Sequence, residues 1–245
     1  MQNSYIKLTI EFDGTDFSGW QVQPGQRTVQ GEIEHAIETI TGQPIRITGA
    51  GRTDAGVHAL AMVASFPYEG TLPIAAFQKG LNRHLPRDIY IHDAERLDYH
   101  FDARRHATRR QYRYVLSKTP VAVGRQYAWF PKQTMDLALM QQAADCLLGE
   151  HHFESFAKDD KEVEDYRSNV YLAQWLDVGD QVYFHIEAIR FFHNMIRILM
   201  GTMLRVGAGK LSVCDFKSIL DARDPAMSGP TIPPTGLFLV SISYE

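Results

Sequence analysis

The chain has 245 residues, enough for one large domain or two small ones, with the 44% hydrophobic and 22% charged composition of an ordinary globular protein. Its net charge is −4, no apolar run is long enough to cross a bilayer, and no signal-like segment opens the chain, so we expect neither a membrane span nor secretion. Cys146 and Cys214 form no Cys-x-x-Cys pair, which argues against a zinc site and fits a reducing cytoplasm; we expect both to be buried.

Hydrophobic periodicity in the first part of the chain predicts strands alternating with helices. The predicted elements are a strand at 6–12, a helix at 29–40 that Thr28 caps and Gly42 ends, strands at 45–48 and 60–66, a short helix at 74–81, and strands at 89–97 and 111–117.

The second part repeats this plan loosely. The predicted elements are a helix that Thr134 caps and that runs to Leu148, strands at 168–177 and 181–188, an apolar helix at about 191–206, a helix from a Ser212–Asp215 capping box to Ala222, and a strand at 237–244. The pattern predicts an α+β fold of two similar α/β subdomains sharing a sheet, which we divide into residues 1–103 and 104–245.

The segment from Gly49 to His58 places one carboxylate, Asp54, among several glycines, with Arg52 two positions before it. Glycine permits positive φ and lets another backbone approach closely, so such a loop can hold a carboxylate in a fixed pose toward a bulky ligand. Asp-Ala-Gly is also ordinary turn chemistry, because aspartate bonds its own backbone two residues on.

The charges are distributed in blocks. Residues 103–135 contain eight basic residues and no acidic one, whereas residues 136–187 contain twelve acidic and three basic residues. The basic block also carries the aromatic residues that RNA-binding surfaces use for stacking, namely Tyr112, Tyr114, Tyr127, Trp129 and Phe130. A solvated strand face on which arginine and tyrosine alternate is the structural alternative.

Several short motifs follow one another along nearly the full length of the chain. They are Glu11–Thr15 with Gly19–Gln21, Val29–Glu32, Gly51–Ala59, Arg110–Tyr114, Phe191–Arg197, and Gly229–Thr231 with Gly236–Leu237. Together and in this order, these motifs resemble the tRNA pseudouridine synthase A family.

The resemblance implies that Asp54 is the catalytic aspartate, Tyr112 the active-site tyrosine and Arg197 the active-site arginine. It implies two subdomains related by a pseudo-twofold axis, with a largely antiparallel sheet and a basic cleft between them. It further implies a homodimer that converts uridine to pseudouridine at tRNA positions 38 to 40, in the anticodon stem-loop, with no metal and no cofactor.

The residue types are consistent with these roles. Arg197 has apolar neighbours in sequence, which favours a buried partner, and we expect Asp54 to be that partner, with Glu187 and Asp13 as rivals. Tyr112 and Tyr114 lie two apart on a predicted strand, so they share one face. The resemblance selects Tyr112 as the residue that stacks on the target base, and we expect Tyr114 to pack in the core.

The remaining candidates concern RNA binding. Arg52 could fill the space left by an extruded base, hold a phosphate, or brace its own loop. The other RNA-binding candidates are Arg104, Arg109, Arg110 and Leu237. The chain departs from the family pattern at Ala61, Met62, Ile189 and Ile198, none of them a catalytic candidate.

Two other functional classes stay open. The first is a tRNA-binding module or folding helper without catalysis, which the presence of Asp54, Tyr112 and Arg197 disfavours. The second is a hydrolase that uses Asp54 as a nucleophile on a nucleoside or glycoside. Glycoside hydrolysis usually needs a second carboxylate at a fixed distance, and none stands out by spacing.

Overall fold

The computed structural model describes residues 4–158 and 163–244. The chain forms two compact units, one of Met1–Thr108 with Phe238–Glu245 and one of Arg109–Leu237. Both contain strands and helices, and nearly all strand pairs are antiparallel, which confirms the predicted α+β class.

The elements of the described residues are named in chain order. The strands are β1 (Tyr5–Phe12), β2 (Thr48–Gly49), β3 (His58–Pro67), β4 (Ile89–Leu97), β5 (Ala107–Ser117), β6 (Gly149–His152), β7 (Arg167–Val178), β8 (Gln181–Ala188) and β9 (Leu237–Tyr244). The helices are α1 (Val29–Thr41), a π-helical turn at Ala76–Gly80 that continues into α2 (Leu81–His84), α3 (Leu137–Asp145), α4 (Met195–Gly207) and α5 (Val213–Ala222).

The first unit is built on β1, which lies between β4 and β3 with antiparallel pairing on both sides. Its alternate residues Ile6, Leu8 and Ile10 are fully buried, as the period of two predicts. The last strand, β9, belongs to this unit because it pairs in parallel with β3, with His58 opposite Phe238. The first unit is therefore formed by two separate stretches of the chain.

The second unit contains an antiparallel sheet in the order β5-β8-β7-β6. Helix α4 is the most deeply buried helix described in this unit: of its thirteen residues only Arg197 and Arg205 are not buried. A helix that is apolar nearly all round belongs in a core, so each arginine on it requires a structural reason.

The sequence predicted most elements within a few residues. Helix α1 has Thr28 as its N-cap, and it ends at Gly42 with φ of 71°. Helix α5 begins at the predicted capping box, in which the Ser212 and Asp215 side chains each bond the other residue's backbone. Tyr114 is fully buried, as predicted.

Three element predictions are wrong in their bounds. The strand predicted at 45–48 is reduced to β2, because side chains of α1 bond its backbone: Ile47 N donates to Glu34, and Gln30 donates to Ile47 O. Helix α3 starts after Asp136, whose carboxylate accepts two backbone N–H bonds, and not after Thr134. Helix α4 starts only at Met195.

The late start of α4 has a simple cause in the backbone. Asn194 precedes α4 with φ of 60°, a left-handed conformation that cannot continue a right-handed helix toward the N-terminus.

Cys214 lies on an outer face of α5 and is exposed, which contradicts the expected burial, whereas Cys146 is half-buried. None of the helices in the described ranges combines the length and apolar composition that a membrane crossing requires.

The cap of α1 yields a stability prediction. Thr28 is buried and its hydroxyl accepts a bond from Gly31 N at 3.3 Å, so Thr28→Ala should cost about 1 kcal/mol in free energy of unfolding. Thr39→Ala, on the exposed side of the same helix, is the matched control and should be neutral or slightly stabilising. Equal losses in urea denaturation would contradict the capping role.

Candidate active site

Asp54 lies in the first unit, half-buried, in the loop between β2 and β3. A turn closes directly after it, since Val57 N donates to Asp54 O at 3.2 Å. The segment Asp13–Trp20, which we call the bracing segment, also bonds this loop. Trp20 N donates to Thr53 O at 3.1 Å, and Gly56 N donates to Phe17 O at 3.4 Å. The backbone on both sides of Asp54 is therefore fixed.

Two glycines of the bracing segment permit this contact. A Cβ on Gly14 would lie 2.0 Å from Val57 O, and a Cβ on Gly19 would lie 2.7 Å from Thr53 O. Gly19 also has φ of 90°, where side chains other than hydrogen are strained. The sequence predicts a close backbone approach at the glycines of the loop itself, whereas Gly14 and Gly19 make these contacts. Both glycines could have been found from the sequence, because they lie in the family-like segments Glu11–Thr15 and Gly19–Gln21.

Arg52 and Thr53, which precede Asp54 in the loop, differ in their exposure to solvent. Arg52 is exposed, so its side chain is accessible to a ligand. Thr53 is buried, and its hydroxyl has no hydrogen-bond partner in the structure. The bonds from Trp20 to Thr53 and from Gly56 to Phe17 join backbone groups.

One residue that sequence reasoning left without a role is His58, the first residue of β3. Its side chain is 2% exposed, and its Nδ1 lies 3.1 Å from Gly14 N and 3.0 Å from an oxygen of Asp13. Its ring stacks on Phe238 with 4.7 Å between centroids. His58 directly follows the loop of Asp54 in the chain, and its side chain contacts the bracing segment at Asp13 and Gly14.

Tyr112 and Tyr114 lie in the second unit on β5 and differ in what they contact. Tyr112 is 9% exposed, and its ring meets that of Phe191 edge-on at 5.1 Å. Tyr114 is fully buried and its hydroxyl donates to Pro233 O at 2.7 Å. Burial raises the pKa of Tyr114, and the nearby charge of Arg197 opposes that rise. Tyr114 is therefore a neutral core residue.

Arg197 lies in the first turn of α4, and two hydrogen bonds orient its guanidinium group. Nε donates to Ile232 O at 2.8 Å, and Nη1 donates to Asn194 Oδ1 at 2.6 Å. The segment that carries Ile232 packs directly on α4, since a Cβ on Gly201 would lie 1.9 Å from Pro230 O. Asn194 was not predicted as a supporting residue, although it stands three positions before Arg197.

The structure bears on the partners considered for Arg197. Glu187 pairs with Arg109 at 3.1 Å, and Asp13 lies in the first unit beside His58. Pairing of Arg197 with Asp54 would join residues of the two units and stays a prediction.

The candidate RNA-binding residues differ in their exposure and in the contacts that the structure shows. Arg52, Arg104 and Arg109 are exposed. Arg109 has its guanidinium 4.0 Å from the ring centroid of Tyr171, Arg110 donates to Ile189 O at 2.6 Å, and Leu237 is 4% exposed. The contacts of Arg109 and Arg110 lie within the protein. They are of the kind expected for the structural alternative, a strand face on which arginine and tyrosine alternate. In the described part of the chain, no three His, Cys, Asp or Glu side chains are grouped to hold a metal ion.

The sequence of the chain is similar to those of known proteins over nearly its full length. Residues 8–104 and 143–245 match a family model described as tRNA pseudouridine synthase, and the chain belongs to that family. It is 40% identical over 240 residues to tRNA pseudouridine synthase A of Exiguobacterium sp. strain AT1b, covering 98% of both chains. It is 41% identical over 241 residues to the protein of the same name from Caldicellulosiruptor bescii, covering 98% of this chain and 99% of the relative.

The contact between Gly14 and Val57 yields a prediction about the loop of Asp54. Gly14→Ala puts a methyl group against a backbone carbonyl, which should cost about 1–3 kcal/mol in free energy of unfolding and increase amide exchange at Val57. Gly51→Ala is the matched control, because a Cβ there meets nothing within 4 Å. If the two variants lost stability equally in denaturation, the close approach would not be what fixes this loop.

Proposed function

We propose that this protein converts uridine to pseudouridine in the anticodon stem-loop of tRNA. The family match supports an isomerase, and the braced loop of Asp54 is the single observation that carries the proposal. Backbone contacts on both sides of Asp54 fix the point on the chain from which its carboxylate extends.

The reaction fits an enzyme that supplies only side chains. The bond between N1 of the base and C1′ of the ribose breaks, a bond from C1′ to C5 forms, the proton leaves C5, and N1 gains a proton. No atom is added and no electron is transferred, so the reaction itself calls for no redox group. Asp54, ionised, would attack C1′, attack the base, or take a ribose proton.

Tyr112, Arg197 and Arg52 are proposed to assist Asp54. The target base must leave its stack, which costs a few kcal/mol. Tyr112 is only slightly exposed and is positioned by Phe191, which supports a role in stacking on the extruded base and in removal of the C5 proton. Arg197 would pair with Asp54 and keep it ionised. Arg52 would fill the vacated space or hold a phosphate.

We further propose that the protein acts in the cytoplasm as a homodimer, with tRNA as its partner and without a metal or cofactor. The resemblance to the tRNA pseudouridine synthase A family supports these proposals, and the relatives it matches carry that name.

Product analysis separates the three functional classes. An isomerase leaves the tRNA mass unchanged and creates pseudouridine, which carbodiimide labelling reveals as stops in reverse transcription. A hydrolase releases free uracil, and a binding module leaves the nucleoside composition unchanged.

Removing the charge of Asp54 tests its role in the chemistry. Asp54→Asn keeps the shape of the side chain, so we expect normal stability, near-normal tRNA affinity and no measurable pseudouridine. Asp98→Asn makes the same charge change at an exposed position of the first unit and should keep full activity. A rate above a tenth of wild type in Asp54→Asn would remove Asp54 from the chemistry.

Binding to tRNA should depend steeply on salt, because phosphate contacts release counterions. Affinity measured from low to physiological salt should fall along a straight line in logarithmic coordinates. Arg104→Ala should reduce that slope by about one if the side chain contacts a phosphate. Arg83→Ala, an exposed arginine outside the basic block, is the control. Salt-independent binding would contradict an RNA-binding role for the basic block.

A further inference from the structure

We propose that His58 is a positioning residue for Asp54: its Nδ1 accepts the Gly14 N–H and so holds the bracing segment against the loop that carries the catalytic carboxylate. The inference rests on the proposed function for its link to catalysis, but the contact itself can be tested without any reaction.

The hydrogen bond from Gly14 determines the state of the imidazole. A ring nitrogen that accepts a hydrogen bond carries no proton, so in the proposed role a neutral His58 carries its proton on Nε2. The Gly14 N–H lies in a buried contact, and a buried N–H without an acceptor is costly. His58 therefore satisfies a backbone donor at the point where the bracing segment meets the loop.

Asp13 does not replace His58 in this role. Its Oδ1 accepts bonds from Thr15 N at 3.0 Å and from Thr15 Oγ1 at 2.6 Å, which form a local turn of the bracing segment. The same oxygen lies 3.0 Å from Nδ1 of His58, and it would accept a bond from that nitrogen only if Nδ1 carried a proton. A proton there would leave Gly14 without its acceptor.

The Gly14 contact reaches Asp54 through one short stretch of backbone. Gly14 lies against the carbonyl of Val57, so closely that a Cβ would be 2.0 Å from the oxygen. Val57 N in turn bonds Asp54 O. Release of Gly14 would therefore remove one of the contacts that fix the turn after Asp54. An error of about 1 Å in the position of a reacting group can cost roughly 100-fold in rate.

The packing around the His58 ring determines which of its two nitrogens faces Gly14. The ring is stacked on Phe238, and β3 pairs with β9 at this point, so the imidazole cannot turn freely to present Nε2 in place of Nδ1. The role requires an acceptor at one place in the side chain, close to its Cβ.

Three substitutions separate this role from simple core packing. His58→Asn keeps an acceptor near the place of Nδ1, His58→Gln moves the acceptor toward the place of Nε2, and His58→Leu fills space without an acceptor. We expect Asn to retain most of the wild-type kcat for pseudouridine formation, and Gln and Leu to lose roughly 100-fold, with tRNA affinity unchanged in all three. Equal kcat losses in Asn and Gln, or losses confined to affinity, would overturn the proposal.

Two measurements on the wild-type protein and the variants do not depend on catalysis. Nitrogen NMR of His58 at neutral pH should show Nδ1 without a proton, and hydrogen exchange at residues 53–57 should be faster in Gln and Leu than in Asn. A protonated Nδ1 together with fast exchange at Gly14 would overturn the positioning role. A wild-type protein that forms no pseudouridine while these two results hold would instead refute the proposed function.

Discussion

The close approach of the bracing segment to the loop of Asp54 is the constraint on which the first unit's functional geometry depends. Gly14 and Gly19 lie directly against the carbonyls of Val57 and Thr53, on either side of Asp54. Interiors as densely packed as crystals leave no room for a Cβ at such contacts. The loop therefore takes its conformation from a neighbouring segment, and its own glycines allow the backbone to follow.

The second unit orients its arginine by a different means. Helix α4 is buried almost entirely, and Arg197 is directed by bonds to a carbonyl of the segment before β9 and to the side chain of Asn194. Gly201 permits that segment to lie on the helix. Both units thus use glycine where two backbones meet. In the first unit the contacts fix the backbone beside Asp54, and in the second unit hydrogen bonds orient the guanidinium group of Arg197.

The pairing pattern of the charged strand face shows why a basic sequence segment is not automatically a binding surface. Arg109 pairs with Glu187 and lies over Tyr171, although the residue remains exposed. These contacts come from β8 and β7, which are distant from Arg109 in the chain, so the block of positive charge in the sequence does not reveal them.

Local sequence determined the elements whose signals are local. The period of two in β1, the threonine cap of α1 and the Ser212–Asp215 box of α5 each depend on residues a few positions apart, and each is present in the structure. The family-like segments predict Asp54, Tyr112 and Arg197 as the active-site residues, and this stays a prediction. Only tertiary structure decided that the backbone of Ile47 bonds to side chains of α1, that β9 pairs with β3, and that His58 meets Gly14, because those partners are far apart in the chain.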